Sequence, residues 1–281
     1  MRRGLFLLPL LALLLLPTAC GSEEALDLDP VASAATLTRD AGSARIAFKT
    51  AMKMQDRSIE LNGAGRFDFD ESRGMLTMDV SPLVPAGAGD PRFELRILGS
   101  MIYLRMPRAL IGQGLPGGKA WVGIDVEKTL KAAGLGSLDP TSLQQDPTQT
   151  LRLLRASATS VQEAGTAKIR GVATTRYEAK LDLRKATEAT ADELGLSERE
   201  RAALRRAAAQ LSTQSGLKTL PVEVYVDRGG LLRRMRMATK TTGVMQFSLT
   251  QTTDFYDFGV DVDVQAPPRS QVVDLSGYGG P

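Results

Sequence analysis

Arg92-Phe93-Glu94-Leu95-Arg96-Ile97-Leu98-Gly99-Ser100-Met101-Ile102-Tyr103-Leu104-Arg105-Met106 is the stretch whose letters alone fix a piece of three-dimensional structure. With Gly99-Ser100 as a two-residue hairpin turn, glycine supplies the positive φ that such turns require. Phe93 then opposes Met106, Leu95 opposes Leu104, and Ile97 opposes Ile102, all on one face. The other face pairs Glu94 with Arg105 and Arg96 with Tyr103, so one side is dry and the other wet. Slipping the register by one residue would scramble both faces, so the pattern argues for the pairing as well as for the strands. The dry face needs a covering partner.

The neighbouring sequence keeps the same period of two. Ile46, Phe48, Thr50, Met52 and Met54 alternate with polar or small residues, followed by Ile59, Leu61, Gly63, Gly65, Phe67 and Phe69, and then Leu76, Met78 and Val80. Asn62-Gly63 is a hairpin signal, but a turn there would set Arg66 opposite Ile59 and send Phe67 to the wrong face. The strand is therefore read straight through it. A Pro- and Gly-rich loop, residues 81–91, completes a five-stranded antiparallel meander ending in the opening hairpin. Ahead of it, Asp29-Pro30 reads as an N-cap with proline at the first helical position. The helix it opens runs to about residue 41, with Val31, Ala34, Ala35 and Thr38 inward.

Beyond the hairpin, the glycine cluster at 112–118 lacks the Lys-Ser/Thr ending of a phosphate-binding P-loop and reads as a plain loop. Trp121-Val122-Gly123-Ile124 reads as an edge strand, and residues 126–133 and 148–157 as short helices. Strands follow at 158–163 and 170–183, the second burying Ala173, Thr175, Tyr177, Ala179, Leu181 and Leu183. Ser197 with Glu200 forms a capping box for a helix over 197–211, striped by Leu204, Ala207, Ala208 and Leu211. Strands at 220–226 and 231–239 flank a turn. Pairing Val226 with Leu231 sets Val222 against Met235 and Leu220 against Met237, with Arg233 opposite Val224 as a misfit. Strands at 244–252 and 255–264 close the series before Pro267-Pro268. Runs of strands interrupted by helices, rather than alternating with them, predict an α+β fold with helices packed on one face of a curved antiparallel sheet.

The N-terminus is a separate matter. Met1-Arg2-Arg3-Gly4 precedes an apolar run, residues 5–16, too short to span a bilayer as a helix, and Pro17-Thr18-Ala19-Cys20 follows at once. This resembles the signal peptide of a bacterial lipoprotein, whose cysteine is acylated and becomes the new N-terminus. Pro17 stands where that pattern usually carries Leu, Val or Ile. An ordinary secretory signal with a chance cysteine is the alternative. Cys20 is the only cysteine of the 281 residues, so the mature domain uses no disulfides, and lipidation accounts for an unpaired thiol outside the cell. The domains are accordingly read as a signal peptide at 1–19, a tether at 20–28, a single domain at 29–269 and a flexible tail at 270–281.

Composition also excludes chemistry. Of 35 basic side chains, Arg2 and Arg3 leave with the signal, so 33 face 32 acidic ones and nucleic acid is not an expected partner. The chain has no histidine, which removes Ser-His-Asp and Cys-His hydrolysis, His-ligated metals and the usual base near neutral pH. With Cys20 committed to lipid, thiol chemistry goes as well. Acids are scattered through turns and polar faces, so no enzyme, cofactor or metal site is expected.

Several segments together resemble the LppX/LprG-type lipoproteins of actinobacteria, which belong with the LolA-like carriers: residues 171–178 and 181–183, 220–227, 231–235, 256–259 and 264–268. The resemblance covers about residues 29–273. It implies a half-barrel sheet holding a lipid or other hydrophobic molecule against helices on its concave face, in a monomer anchored to the cell membrane on its extracytoplasmic side. It supplies no residue-level site, because such pockets are defined by shape. The residues add a candidate lining: Phe93, Leu95, Ile97, Ile102, Leu104 and Met106 from the hairpin, with Met52, Met54, Met235 and Met237. Every methionine of the mature chain falls in a strand-like segment, and unbranched methionine suits variable acyl chains. The alternative is an anchored interaction or sensory module whose sheet is packed shut.

Overall fold

The computed structural model describes residues 29–54, 57–87, 89–111, 115–132, 156–241 and 247–276. Five strands follow helix α1 (Asp29–Asp40) in unbroken succession: β1 (Ser43–Met54), β2 (Arg57–Asp68), β3 (Arg73–Asp79), β4 (Arg92–Leu98) and β5 (Met101–Arg105). β6 (Trp121–Asp125) leads into α2 (Val126–Ala132). The second half comprises β7 (Ala158–Ile169), β8 (Val172–Asp182), α3 (Leu183–Glu193), α4 (Glu198–Ser215), β9 (Thr219–Asp227), β10 (Leu232–Lys240), β11 (Phe247–Tyr256) and β12 (Val272–Asp274). The strands form one open sheet in the order β12-β6-β5-β4-β3-β2-β1-β11-β10-β9-β8-β7. All neighbours are antiparallel except β12 and β6. The sheet is not closed into a barrel, and its seam joins the two halves of the chain through β1 and β11.

The opening hairpin has the expected register, with Leu95 opposite Leu104, Ile97 opposite Ile102, Arg96 opposite Tyr103 and Glu94 opposite Arg105. Gly99 takes a φ of 58° at its turn. Phe93 and Met106 lie just past the last paired residues. β2 runs through Asn62-Gly63 without a turn, as the polarity of its faces demanded.

Glycines on the apolar side of β2 and β3 make room for large neighbours. A Cβ on Gly63 would sit 2.1 Å from the Phe48 ring, and one on Gly74 would sit 2.5 Å from Phe67. Both rings lie across the adjacent strand where a side chain would otherwise stand, which is what the crowded inner side of a curving sheet requires.

Helix α1 covers one end of that inner face. Val31, Ala34, Ala35 and Thr38 are the buried residues, as their helical spacing predicted, and they join a core containing Ile46, Phe67, Phe69, Val224, Leu232 and Phe255. Small alanines let the helix approach closely. Thr38 is fully buried, and its Oγ1 accepts a hydrogen bond of 2.9 Å from the Leu232 amide at the start of β10.

The second half departs from the sequence reading in several places. Strand β10 is offset from β9: Leu232 opposes Val226, Met235 opposes Val224 and Met237 opposes Val222, with an irregularity between Leu232 and Arg234. Arg233, the misfit in the expected pairing, is the extra residue of that bulge. Its guanidinium turns away to Asp227 at 2.6 Å and over the Phe258 ring at 4.9 Å. β7 runs to Ile169, and Arg170-Gly171, both at positive φ, turn it into β8. On β8, Ala179 and Leu181 are buried as expected, whereas Ala173 is exposed and Thr174 buried in its place. β8 stops at Asp182, whose carboxylate accepts from the amides of Arg184 and Lys185 and so opens α3 at Leu183, a helix the alternation pattern hid. Those amide bonds hold the Asp182 carboxyl below its usual range. The α4 capping box forms, with Glu200 accepting from the Ser197 amide at 2.7 Å. Of its expected stripe, Leu204 and Ala208 are half-buried and Ala207 is exposed. The helix expected at 148–157 lies almost wholly outside the described residues.

Two expected strands, 244–252 and 255–264, are one strand followed by a strap. β11 runs unbroken to Tyr256. Asp257 and Gly259 then take φ values of 48° and 73° and peel the chain off the sheet. The strap crosses the outer face, held by side chains from β1, β2 and β4 and from Lys119 just ahead of β6. Ser43 donates to the Val260 carbonyl, Arg66 to those of Asp261 and Asp263, Arg96 to that of Gln265, and Lys119 to that of Val272. Val262 and Val264 are buried beneath it. The outer side of the opening hairpin is therefore covered rather than wet. The fold also continues past residue 269, where a flexible tail was expected, because Val272 to Asp274 pair with β6 and take the sheet edge from it.

Two substitutions test this architecture. Gly63→Val must expel the Phe48 ring, and overpacking of this kind lowers stability by about 1–3 kcal/mol. A chemical unfolding curve with an unmoved midpoint would show that the ring swings free. Thr38→Val keeps shape but strands the buried Leu232 amide, at a cost of about 1–3 kcal/mol. Thr38→Ser, which keeps the acceptor, should lose less in the same thermal melt.

Candidate functional site

Register decides which side chains share a surface, since partners across an antiparallel pair point the same way. Tracing the pairs from strand to strand puts Leu95, Ile97, Ile102 and Leu104 with Leu76 and Val122. It puts Phe93 with Met78 and Gly63, and through Phe48 with Thr253, Met235, Val224 and Tyr177. Met52 lies between Ile59 and Leu249, Met54 between Arg57 and Phe247, and Met237 between Gln251 and Val222. Nine of the ten predicted lining residues thus occupy one face, the same face that α1 covers. Met106 follows by alternation from Leu104. Methionine as a type is less selective than the sequence implied: Met75 pairs with Arg96, and Met101 with Leu98, on the opposite side.

Burial divides the ten into two groups. Ile97 and Met235 are 3% and 5% exposed and belong to the packed core, with Leu95 and Met237 partly buried against it. At the far end of β1 Met52 is half-buried and Met54 is 45% exposed, and sideways, on β4 and β5, Phe93, Ile102, Leu104 and Met106 are half-buried outside the core cluster. One part of the surface is therefore core under α1, and the other is apolar and incompletely covered by described residues.

A separate cavity of about 530 Å³ lies between α3 and α4, lined by Leu183, Thr187, Ala208, Ala209 and Lys218 among others. It sits between two helices rather than between sheet and helices, and none of the ten residues lines it. Arg205 and Glu188 close one side with paired bonds of 2.7 and 2.9 Å. Burial of those helices comes mainly from each other, since α4 packs on α3 and α3 on β8.

The outer face carries a different chemistry. Asp254, 8% exposed, accepts both arms of Arg234 at 2.6 and 2.8 Å, with Arg170 at 3.4 Å stacked 3.9 Å over Tyr256. Glu223 accepts from Arg236 and from the Tyr225 hydroxyl, both at 2.8 Å. Burial and the Glu223 carboxylate push the Tyr225 phenol up from its ordinary value. These groups satisfy one another. Among the described residues, no cluster of three or more His, Cys, Asp or Glu side chains is placed to hold a metal ion, and no helix is long and apolar enough to cross a membrane.

No family model matches the chain. It is 26% identical over 247 residues to a Streptomyces coelicolor protein provisionally named a lipoprotein, covering 85% of this chain and 71% of that one. Among solved structures, LprF from Mycobacterium bovis matches 85% of this chain and 96% of its own at 13% identity with a TM-score of 0.42. LppX from Mycobacterium tuberculosis matches 84% and 100% at 16% identity with a TM-score of 0.39. A LolA superfamily protein from Nitrosomonas europaea matches 83% and 92% at 7% identity with a TM-score of 0.28. In sequence this chain is similar to a bacterial protein named as a lipoprotein, and in its large open antiparallel sheet with a few helices it is similar to LprF, LppX and a LolA superfamily protein.

Proposed function

We propose that this chain is a lipoprotein anchored through Cys20 at the extracytoplasmic face of the cell membrane, and that it binds or carries a lipid or other hydrophobic molecule on the inner face of its sheet. The observation that carries the reading is the division of that face. Part of it is filled with the close packing of a core, but at Met52 and Met54 on the far end of β1, and at Phe93, Ile102 and Leu104 on β4 and β5, it stays apolar while half-buried or exposed among the described residues. Apolar surface of this extent, left incompletely covered, is a usual mark of a binding site. Apart from Arg57 beside Met54 at its rim, the described lining is largely apolar, which supports contact with hydrocarbon. Two acyl chains on Cys20 give firm anchoring where a single chain is marginal.

The two halves of the face make the ligand testable. Ile97→Trp overpacks a filled core and should cost about 1–3 kcal/mol. Leu104→Trp enters the half-covered part and should leave the melting temperature nearly unchanged while abolishing lipid that co-purifies with the parent, read by mass spectrometry of solvent extracts. A parent free of lipid, together with equal destabilisation by both substitutions, would mean that the whole face is closed.

The anchor is tested separately. Cys20→Ala should block lipoprotein-specific cleavage and remove metabolic labelling by palmitate. Labelling that persists in the variant would place the acyl group elsewhere.

A further inference from the structure

The two ends of the sheet are built differently. At one end the chain reverses through short turns, at 69–72, 99–100, 170–171 and 228–231. At the other end stand all the longer connections between paired strands: the loops joining β3 to β4 and β5 to β6, and the α3–α4 insertion between β8 and β9. The last β1–β2 pair, Met54 and Arg57, is there too. Among the described residues four large apolar side chains are classed as exposed, and three of them, Met54, Leu83 and Leu110, project from this end at 45%, 42% and 42% exposure. Leu83 and Leu110 are each the last residue of a single 3-10 turn, the first with Pro82 inside the turn and the second with Pro107 as its N-cap. A proline-stiffened turn holds its leucine outward at little further entropic cost.

Charge at this end is one-sided once the pairs are taken out. Glu60 is held by Lys49 at 2.8 Å, Asp90 by Arg92 at 2.9 Å and Glu188 by Arg205 at 2.7 Å. Asp79 and Asp182 accept from backbone amides. Lys53, Arg57, Arg108 and Lys240 remain exposed without an ion pair among the described residues. Isolated apolar tips interleaved with unpaired cations fit a surface that is anionic outside and apolar within.

We propose that this end of the sheet docks on an anionic phospholipid bilayer, with Leu83, Leu110 and Met54 entering the headgroup boundary while Lys53, Arg57, Arg108 and Lys240 meet lipid phosphates. The contact is additional to any N-terminal acyl anchor and does not depend on whether the inner face holds a ligand. It turns the open part of that face, where Met52 and Met54 lie, toward the membrane.

The test uses the full chain in a Cys20→Ser background, where an introduced cysteine is the only thiol, reconstituted into vesicles. An environment-sensitive fluorophore is placed at Ala109→Cys beside Leu110, or at Asp70→Cys on the opposite end as a control. Docking predicts blue-shifted emission at position 109 but not at 70 in phosphatidylglycerol-containing vesicles, and its loss in pure phosphatidylcholine or at high salt. Arg57→Gln with Arg108→Gln should lower the docked-to-undocked ratio about fivefold per charge, the equivalent of about 1 kcal/mol each. Leu83→Ser with Leu110→Ser should remove the shift with an unchanged thermal melt. A shift indifferent to lipid charge, or equal at both ends, overturns the proposal. So does a shift without vesicles that grows with protein concentration, which would assign the end to a second copy of the chain.

Discussion

The fold depends on an exchange of space on the inner side of three neighbouring strands. Phe48 and Phe67 lie flat over β2 and β3 only because Gly63 and Gly74 carry no side chain beneath them. A side chain at either glycine would collide with the ring it faces. Glycine inside a strand is ordinarily a loss of roughly 0.5–1 kcal/mol, so its use here is explained by the packing it permits.

Around that curved surface the two faces are closed by different means. On the inside, a helix of small residues meets the sheet closely enough for a side-chain oxygen to satisfy a strand amide, and Thr38 and Leu232 tie the start of the chain to its second half. On the outside, the strap from Tyr256 to Val272 is held by Ser43, Arg66, Arg96 and Lys119 reaching its carbonyls. Arg96 also stacks 4.6 Å over Trp121. An extended segment without strand partners has its polar groups satisfied by side chains standing on the sheet, and it buries Val262 and Val264 in return.

Among the described residues, the inside is less covered at the far end of β1 and on β4 and β5 than in the core cluster. The framework has tight turns at one end and longer connections between successive strands at the other. The packed residues Ile97 and Met235 and the exposed Met54 lie on the same face, so their difference arises from their place on the sheet and not from residue type.

The sequence by itself determined whatever rests on neighbours in the chain. Alternation fixed the register of the opening hairpin and the inner face of β1 to β5, because a period of two admits only one dry side. Helical spacing fixed the buried side of α1. The misfit of Arg233 was visible as a local conflict, but its resolution as a bulge needed β9 and Asp227 in place. Helix α3 stayed hidden because Asp182 ends an alternating strand and caps a helix in the same residue, and the strap stayed hidden because its alternation, Val260, Val262, Val264, is that of a strand. Which elements cover which face was left to tertiary structure, since burial depends on groups that meet far apart in the chain, as the Ser43 hydroxyl and the Val260 carbonyl do across 217 residues, and no local pattern records such a meeting.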